Sequence, residues 1–396
     1  MTTSHRSADP APAAHQIDAD RDQAVGKAVH LGAFDPIVRL DVTAYRIPTA
    51  TPESDGTLEW DTTTLVIAEP VAAGVRGFGY TYADTSTARL IQDLLAGIVV
   101  GHDPMDIPGA WLAMVHAIRN LGRPGVASMA IGAVDNALWD LKAKLLGLPL
   151  ASLFGQVRDR VPVYGSGGFT SYSTKELEAQ LGGWIADGMM MVKMKVGRDP
   201  AADFERVRTA RAAVGPDVAL FVDANGAYER KQALGFAQRF ADLGVRWFEE
   251  PVSSDDLDGL REIRDAGPPG MAITAGEYGY DLPYFRRMLE AGAVDILQAD
   301  ATRCAGLSEF LRVGALCWSR SLPLSSHCAP SIHVAVGCAL PALVHLEYFF
   351  DHARIEELVL DGAPRPIDGH LRPDLSRPGL GVELKRNDVA RWQVPI

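Results

Sequence analysis

The apolar positions of the chain follow a two-residue period first, then a helical period, then an alternation of the two. Ile37–Tyr45 and Thr62–Ala68 are rich in β-branched residues and read as strands, joined by a polar loop, Pro48–Asp61, holding two prolines and Gly56. Gly74–Tyr82, with Phe78, Tyr80 and Tyr82 in alternation, reads as a third strand. Helices are expected over about Ser86–Val99 and Gly109–Arg119. The clearest spans Ala127–Leu146, where Ile131, Val134, Leu138, Leu141 and Leu145 recur at helical spacing and Gly147 and Pro149 end the run. These elements make an α+β unit.

From Val161 short strand-like runs alternate with amphipathic stretches. The strands expected are Val161–Tyr164, Met189–Val196, Ala219–Val222, Val245–Phe248, Ala272–Ala275, Ile296–Gln298, Leu322–Ser325 and Val344–Leu346. The helices expected between them include Ala201–Val214, Glu229–Leu243, Leu257–Asp265, Tyr284–Ala291 and Gly306–Ser319. Eight strands with crossovers of roughly 20 residues are the pattern of a closed parallel barrel. An open doubly wound sheet would carry a Gly-rich phosphate fingerprint after its first strand, and Gly165-Ser166-Gly167-Gly168 does not spell one. The chain divides into a flexible tail over 1–34, a capping domain over 35–155, a barrel over 156–365 and a segment over 366–396 that packs back on the cap.

In a parallel barrel the reactive groups sit at the C-terminal ends of the strands. Lys193 and Lys195 lie at the end of the second, Asp223 the third, Glu249 the fourth, Glu277 the fifth, Asp300 the sixth, His327 the seventh and Glu347 the eighth. From Lys195 the steps are 28, 26, 28, 23, 27 and 20 residues, about one βα unit each, so the groups converge on one mouth. A single strand-end acid is most simply a loop cap or an ion-pair partner. Asp223, Glu249 and Glu277 end successive strands, about 5 Å apart for neighbours, and three such charges repel unless a cation lies between them. An all-oxygen set suits one Mg²⁺.

Lys193 and Lys195 alternate with Val192 and Met194, so both lysines face into the barrel. Two adjacent ammonium groups lower each other's proton affinity, which makes Lys195 a candidate neutral base. His327 follows Ser325 and Ser326, and Asp300 on the neighbouring strand fixes its tautomer. His333 and His345 lack such a partner and read as structural. Glu347, if protonated, donates a hydrogen bond to a developing oxyanion. A carboxylate substrate held at the three acids has its α-carbon between Lys195 and His327. One removes the α-proton; the metal, Lys193 and Glu347 stabilise the enediolate. The other then returns a proton to the opposite face or protonates a departing β-hydroxyl.

Composition narrows the partners. The 396 residues carry a net charge of −12, from 38 basic and 50 acidic side chains, which argues against nucleic acid. It does not argue against a carboxylate, because the cation and the two lysines offset the three acids at the mouth. No run reaches the ~18 apolar residues of a membrane span; the richest, His333–Leu346, is broken by Gly337 and Pro341. The N-terminus lacks the apolar core of a signal peptide. The four cysteines, Cys304, Cys317, Cys328 and Cys338, have no CxxC spacing and read as reduced residues of a cytoplasmic protein. The expected partners are a small-molecule carboxylate substrate and further copies of the chain.

These residues together resemble the mandelate racemase subgroup of the enolase superfamily. Lys193-Met194-Lys195 is similar to its KxK base motif, and Val222-Asp223-Ala224-Asn225, Trp247-Phe248-Glu249-Glu250-Pro251 and Gly276-Glu277 to its three ligand motifs. Asp300 with Ser325-Ser326-His327 resembles its dyad, and His345-Leu346-Glu347 its electrophilic acid. The helix from Ala130 to Asp140, with Pro149-Leu150 and Leu153-Phe154-Gly155, resembles its cap-to-barrel junction. The muconate-lactonising subgroup expects a lysine where Asp300 stands. The resemblance implies a modified (β/α)7β TIM-type barrel with an N-terminal α+β cap, Mg²⁺, and most often acid-sugar dehydration to a 2-keto-3-deoxy acid. Racemisation or epimerisation of a 2-hydroxy acid, and cycloisomerisation of a sugar acid or lactone, use the same residues; a binding protein on a decayed barrel would have lost some of them. It further implies that the loop from Tyr45 to Trp60 closes over the site. The candidate substrate contacts are Asn225, Tyr45, Arg46, Trp60 and Ser166.

Overall fold

A computed structural model describes residues 34–396, so the tail expected over 1–34 lies outside the described residues except for Phe34. The cap is a long antiparallel hairpin, Arg39–Ser54 with Glu59–Ala72, extended by Gly79–Tyr82 on the second strand. The stretch expected as a loop over Pro48–Asp61 is therefore mostly strand, with a tip of only Asp55–Leu58. Pairing skips between Pro48 and Glu53 and resumes at Glu53↔Trp60. Proline cannot donate to a ladder, and both prolines fall at that irregular stretch. The first cap helix, Thr85–Val99, contains one π turn, Ile91–Leu95. Ile107–Ala117 and Val126–Leu145 complete the cap.

Eight parallel strands close the barrel: Val161–Gly167, Met191–Lys195, Ala219–Asp223, Val245–Glu249, Ala272–Ala275, Ile296–Ala299, Leu324–Ser326 and Leu343–Phe349. The eighth pairs with the first through Glu347↔Tyr164. Helices join successive strands, and a further helix, Phe350–Val359, follows the eighth. Two connecting helices escaped the sequence reading. Pro330–Ala339 is buried on every side, its polar Ser331 and His333 included, so it carries no amphipathic period. Thr174–Ala186 lies in a polar stretch, but its capping box, Ser173 with Glu176, was a readable start signal.

The glycines after the first strand serve packing. A Cβ on Gly165 would lie 2.4 Å from the Trp184 ring, and one on Gly167 would lie 2.5 Å from Gln180 Oε1, so both let the next helix approach the strand. Inside the barrel, Tyr164, Phe221 and Trp247 form an aromatic floor with His345 against their rings. The last segment touches both layers. His370–Leu371 pairs with the first barrel strand, and Gln393–Val394 with the first cap strand.

Candidate active site

The strand register brings the expected ring together. Lys195 is opposite Asp223, and Asp223 opposite Glu249, on adjacent strands. Glu277 stands two residues beyond its strand, after Gly276 at φ +137, where a Cβ would come 2.0 Å from the Gln298 carbonyl oxygen. Only glycine turns the chain there without a clash. The Asp223, Glu249 and Glu277 carboxylates are buried and offer ligand oxygens within 4.8 Å of one another. Trp247 Nε1 and Gln298 Nε2 donate to Glu249 Oε2 at 2.9 and 3.0 Å, anchoring it on the aromatic floor. Glu277 Oε2 is buried and makes no hydrogen bond among the described residues. Three converging carboxylates, one with a buried oxygen that no donor reaches, are the donor set of a hard divalent cation. Glu250, the second acid of the Trp247–Pro251 motif, is buried too, and burial with Glu277 nearby pushes its carboxyl well above the usual range.

The protonation states differ from the sequence reading. Lys195 Nζ lies 2.5 Å from Asp223 Oδ2 and 3.0 Å from Asn225 Oδ1. Lys193 Nζ lies 2.7 and 2.8 Å from the two Glu249 oxygens and 2.8 Å from Glu347 Oε1. Burial acts to lower both lysines, but Asp223 at Lys195, and Glu249 with Glu347 at Lys193, override it and hold both well above the usual range. Lys193 acts to lower Lys195, in the expected direction, and is outweighed. Glu347 is corrected likewise. Burial favours its neutral form, yet Lys193 holds its carboxyl well below the usual range. It accepts from Ser166 Oγ at 2.6 Å and from the Cys328 N–H at 2.9 Å, so it stands here as an ionised acceptor rather than a donor.

The dyad is formed. His327 Nδ1 lies 2.8 Å from Asp300 Oδ2, and the Thr302 N–H donates to Asp300 Oδ1 at 2.7 Å. An ionised Asp300 accepts the Nδ1 proton and leaves Nε2 free, 3.4 Å from Glu277 Oε2. His333 orders the adjoining turns, with Nδ1 against the Cys328 carbonyl and Nε2 accepting from the Ala301 N–H. His345 Nδ1 lies 2.9 Å from Ser325 Oγ in the aromatic floor.

A cavity of about 410 Å³ opens above these groups, between the barrel mouth and the cap. Lys195, Glu277, His327 and Asn225 line its barrel side; Trp60, Thr62–Thr64, Tyr82 and Asp84 line its cap side. The hairpin tip is seated on the barrel: the Thr170 hydroxyl donates to the Asp55 carbonyl at 2.7 Å, and Arg198 pairs with Glu59 at 2.6 Å. Of the expected substrate contacts, Asn225 and Trp60 line the cavity. Ser166 is fully buried on Glu347 instead. Tyr45 is a core residue, 4% exposed, and Arg46 is exposed on the sheet outside the cavity lining, because pairing places neither over the mouth.

The sequence reading missed Arg303, Tyr278, Cys328 and His352, all lining the cavity. Arg303 Nη1 lies 3.2 Å from Glu277 Oε1 and so ties the acidic triad to the dyad side. Its signal was present, a cation three residues past a strand-end acid. His352 sits on the helix after the eighth strand, where reading strand ends cannot reach. It stacks on Tyr82 at 3.5 Å, and burial lowers it to about 3. A larger groove of about 560 Å³ beside Trp184 and Arg365 lies apart from the triad.

Comparison with known proteins places this arrangement. Residues 39–155 match the mandelate racemase/muconate lactonizing enzyme N-terminal domain, and residues 176–389 the enolase C-terminal domain-like family. The chain is 32% identical over 372 residues to 3,6-anhydro-α-L-galactonate cycloisomerase of Streptomyces coelicolor, covering 90% of this chain and 99% of that one. A mandelate racemase/muconate lactonizing enzyme-like protein from Rubrobacter xylanophilus superposes with TM-score 0.89 at 54% identity, covering 91% of this chain and all of that one (100%). L-talarate dehydratase from Polaromonas sp. JS666, complexed with Mg and L-glucarate, superposes with TM-score 0.83 at 31% identity, covering 91% and 98%. With both domains matched and the strand-end ring in place, the chain belongs to the mandelate racemase/muconate lactonizing enzyme family of the enolase superfamily.

Proposed function

We propose that the protein is a Mg²⁺-dependent acid-sugar dehydratase that removes the proton α to a carboxylate and expels a β-hydroxyl, giving a 2-keto-3-deoxy acid. The observation that carries this reading is that Lys195 and His327 line one cavity from the two ends of a single acidic triad, Lys195 against Asp223 and His327 against Glu277. Asp223, Glu249 and Glu277 would hold the Mg²⁺. Bound there, it supplies polarisation of the substrate carboxylate and charge to offset the three acids. Lys195 and His327 act as a proton-transfer pair, one taking the α-proton and the other delivering a proton to the leaving hydroxyl. Asp300 keeps the His327 ring oriented. Lys193, donating to Glu249 and Glu347, is placed to stabilise negative charge as it develops on the substrate carboxylate. The hairpin tip and Trp60 exclude water and shape the specificity wall. The proposed setting is the cytoplasm, with a free sugar acid as substrate and the chain assembled as a homo-oligomer.

The experiment is incubation with Mg²⁺ and a library of acid sugars, their lactones and 2-hydroxy acids in D₂O, scoring α-deuteration and 2-keto acid separately. Keto acid is the expected result. Inverted, deuterated product without keto acid would make the protein a racemase or epimerase, and a ring-opened or ring-shifted isomer would make it a cycloisomerase like its Streptomyces coelicolor relative. Lys195→Ala and His327→Asn should each abolish turnover; normal turnover in both would sink the mechanism. Absence of exchange with every acid, in protein shown to bind Mg²⁺, would favour a binding protein.

A further inference from the structure

The Cys328 thiol at the mouth has no part in the all-oxygen triad or the dyad, yet it stands against a member of the dyad, His327, and against Glu347. His327 Nε2 lies 3.2 Å from Cys328 Sγ, Cys328 Sγ lies 3.6 Å from Glu347 Oε2, and Glu347 Oε2 lies 3.9 Å from His327 Nε2. We propose that these three atoms form a second metal site, of nitrogen, sulfur and oxygen, which takes Zn²⁺ and silences the enzyme by occupying the His327 nitrogen.

The geometry fits the ion. A triangle with these sides has a circumradius of about 2.1 Å, and zinc bonds run about 2.0–2.1 Å to nitrogen, about 2.0–2.2 Å to oxygen and about 2.3 Å to sulfur. An ion can therefore sit just off the plane of the three atoms with little side-chain movement. The surroundings are those of a zinc ligand set. Asp300 on His327 Nδ1 is the carboxylate–histidine pairing that fixes the ring tautomer and leaves Nε2 free to bind metal. The Cys328 N–H and the Ser166 hydroxyl hold Glu347 from either side. Cys328 occupies a left-handed turn, φ +48, whose carbonyl is fixed by His333 Nδ1, so the thiol is aimed rather than free to swing.

Ligand chemistry separates this site from the triad. Three carboxylates prefer Mg²⁺, whereas an imidazole and a thiolate prefer zinc. A thiolate and a carboxylate also neutralise the ion's charge. His327 and Cys328 both line the cavity, so the fourth position opens toward the space where substrate would sit. Binding itself does not depend on the proposed dehydration; only the loss of turnover rests on that reading.

The test uses Mg²⁺-saturated protein with Co²⁺ and Zn²⁺ as the probes and needs no substrate. Co²⁺ should give a thiolate-to-metal charge-transfer absorption at one equivalent, and Zn²⁺ should abolish it. Zn²⁺ should bind with release of the thiol proton while Mg²⁺ stays bound. In Cys328→Ser, which keeps the other three cysteines, the absorption should vanish and Zn²⁺ affinity should fall more than about tenfold, since loss of even an outer-shell partner costs that much. No charge-transfer band in the wild type overturns the proposal whatever the variant does. So does a band that persists in Cys328→Ser, or Zn²⁺ binding that expels one Mg²⁺ per Zn²⁺, which would place zinc in the oxygen triad. If the zinc site forms and no acid exchanges its α-proton, the dehydratase reading fails and the site stands.

Discussion

Asp300→Asn tests the dyad most directly, because the aspartate uses both oxygens. Oδ1 accepts the Thr302 N–H at 2.7 Å and Oδ2 faces His327 Nδ1 at 2.8 Å. Burial opposes its charge, yet the hydrogen bond from His327 keeps the carboxyl well below the usual range. An asparagine has one acceptor and one donor end. If its oxygen keeps Thr302, its NH₂ meets His327 Nδ1 and drives the ring proton onto Nε2, so the nitrogen facing the cavity loses its lone pair. If it flips, two N–H groups face each other at Thr302. Either arrangement loses one hydrogen bond to a charged group, worth about 1.5–3 kcal/mol, or about tenfold to about 150-fold in rate. The assay is α-deuteration in D₂O, followed by NMR, on both epimers of an acid the enzyme accepts. Exchange of the α-proton presented to His327 should fall by that factor, and exchange on the Lys195 side should be spared. Wild-type exchange on both faces would refute the dyad. Equal loss on both faces with a lowered melting temperature would show that Asp300 acts through the fold.

Three further changes probe other parts. Glu277→Gln removes one of three anionic oxygens and should weaken Mg²⁺ binding more than about tenfold by calorimetry, since outer-shell losses alone reach that size; an unchanged Kd would take Glu277 out of the ligand set. Gly165→Ala puts a Cβ 2.4 Å from the Trp184 ring, and such overpacking costs about 1–3 kcal/mol, so the urea midpoint should fall; an unmoved midpoint would contradict the close approach. Asp135, buried on the cap helix, accepts from Ser308 N and Oγ at 2.8 and 2.7 Å, and burial raises its carboxyl from 3.8 to about 7. Because the folded value is the higher one, its contribution to stability is full below about pH 4 and is lost as pH rises to about 7. Asp135→Asn can keep both contacts, accepting from N and donating to Oγ, so urea unfolding of the variant should lose that part of the downward slope; an identical slope would place the ionisation elsewhere.

The barrel was legible because its signals are local. The barrel strands are short runs set off by amphipathic stretches, and strands two to eight end in ionisable groups about one βα unit apart. Asp223, Glu249, Glu277, Asp300, His327 and Glu347 are found at the mouth for that reason. What the sequence hid depends on contact across the chain. The cap hairpin runs as strand through Pro52 because its tip is held by Thr170 and Arg198 of the barrel, and no local pattern reports that. Tyr45 was misplaced by the same gap: pairing with the second cap strand and with Gln393 sets which face it turns inward. His352 and Tyr82 meet by stacking across 270 residues of sequence.

Charge was the harder quantity to read. Lys193 and Lys195 are two residues apart on one strand, roughly 6.6–6.8 Å along the chain, whereas each has a carboxylate from another strand within 2.8 Å, Asp223 one strand away and Glu249 two. Coulomb energy falls with distance, so the cross-strand acids win over the lysine neighbour, and the register that aligns Lys195 with Asp223 decides its protonation. The same register lines Asp223 up with Glu249 as cation ligands. Asp223 and Glu249 can satisfy the lysines fully or a divalent cation fully, but not both, since each oxygen's charge is shared. Deprotonation of Lys195 and filling of the triad are thereby coupled: a cation there withdraws the charge that keeps the lysine an ammonium. The base and the metal site are one electrostatic unit, which is why neither could be read correctly from the lysine pair alone.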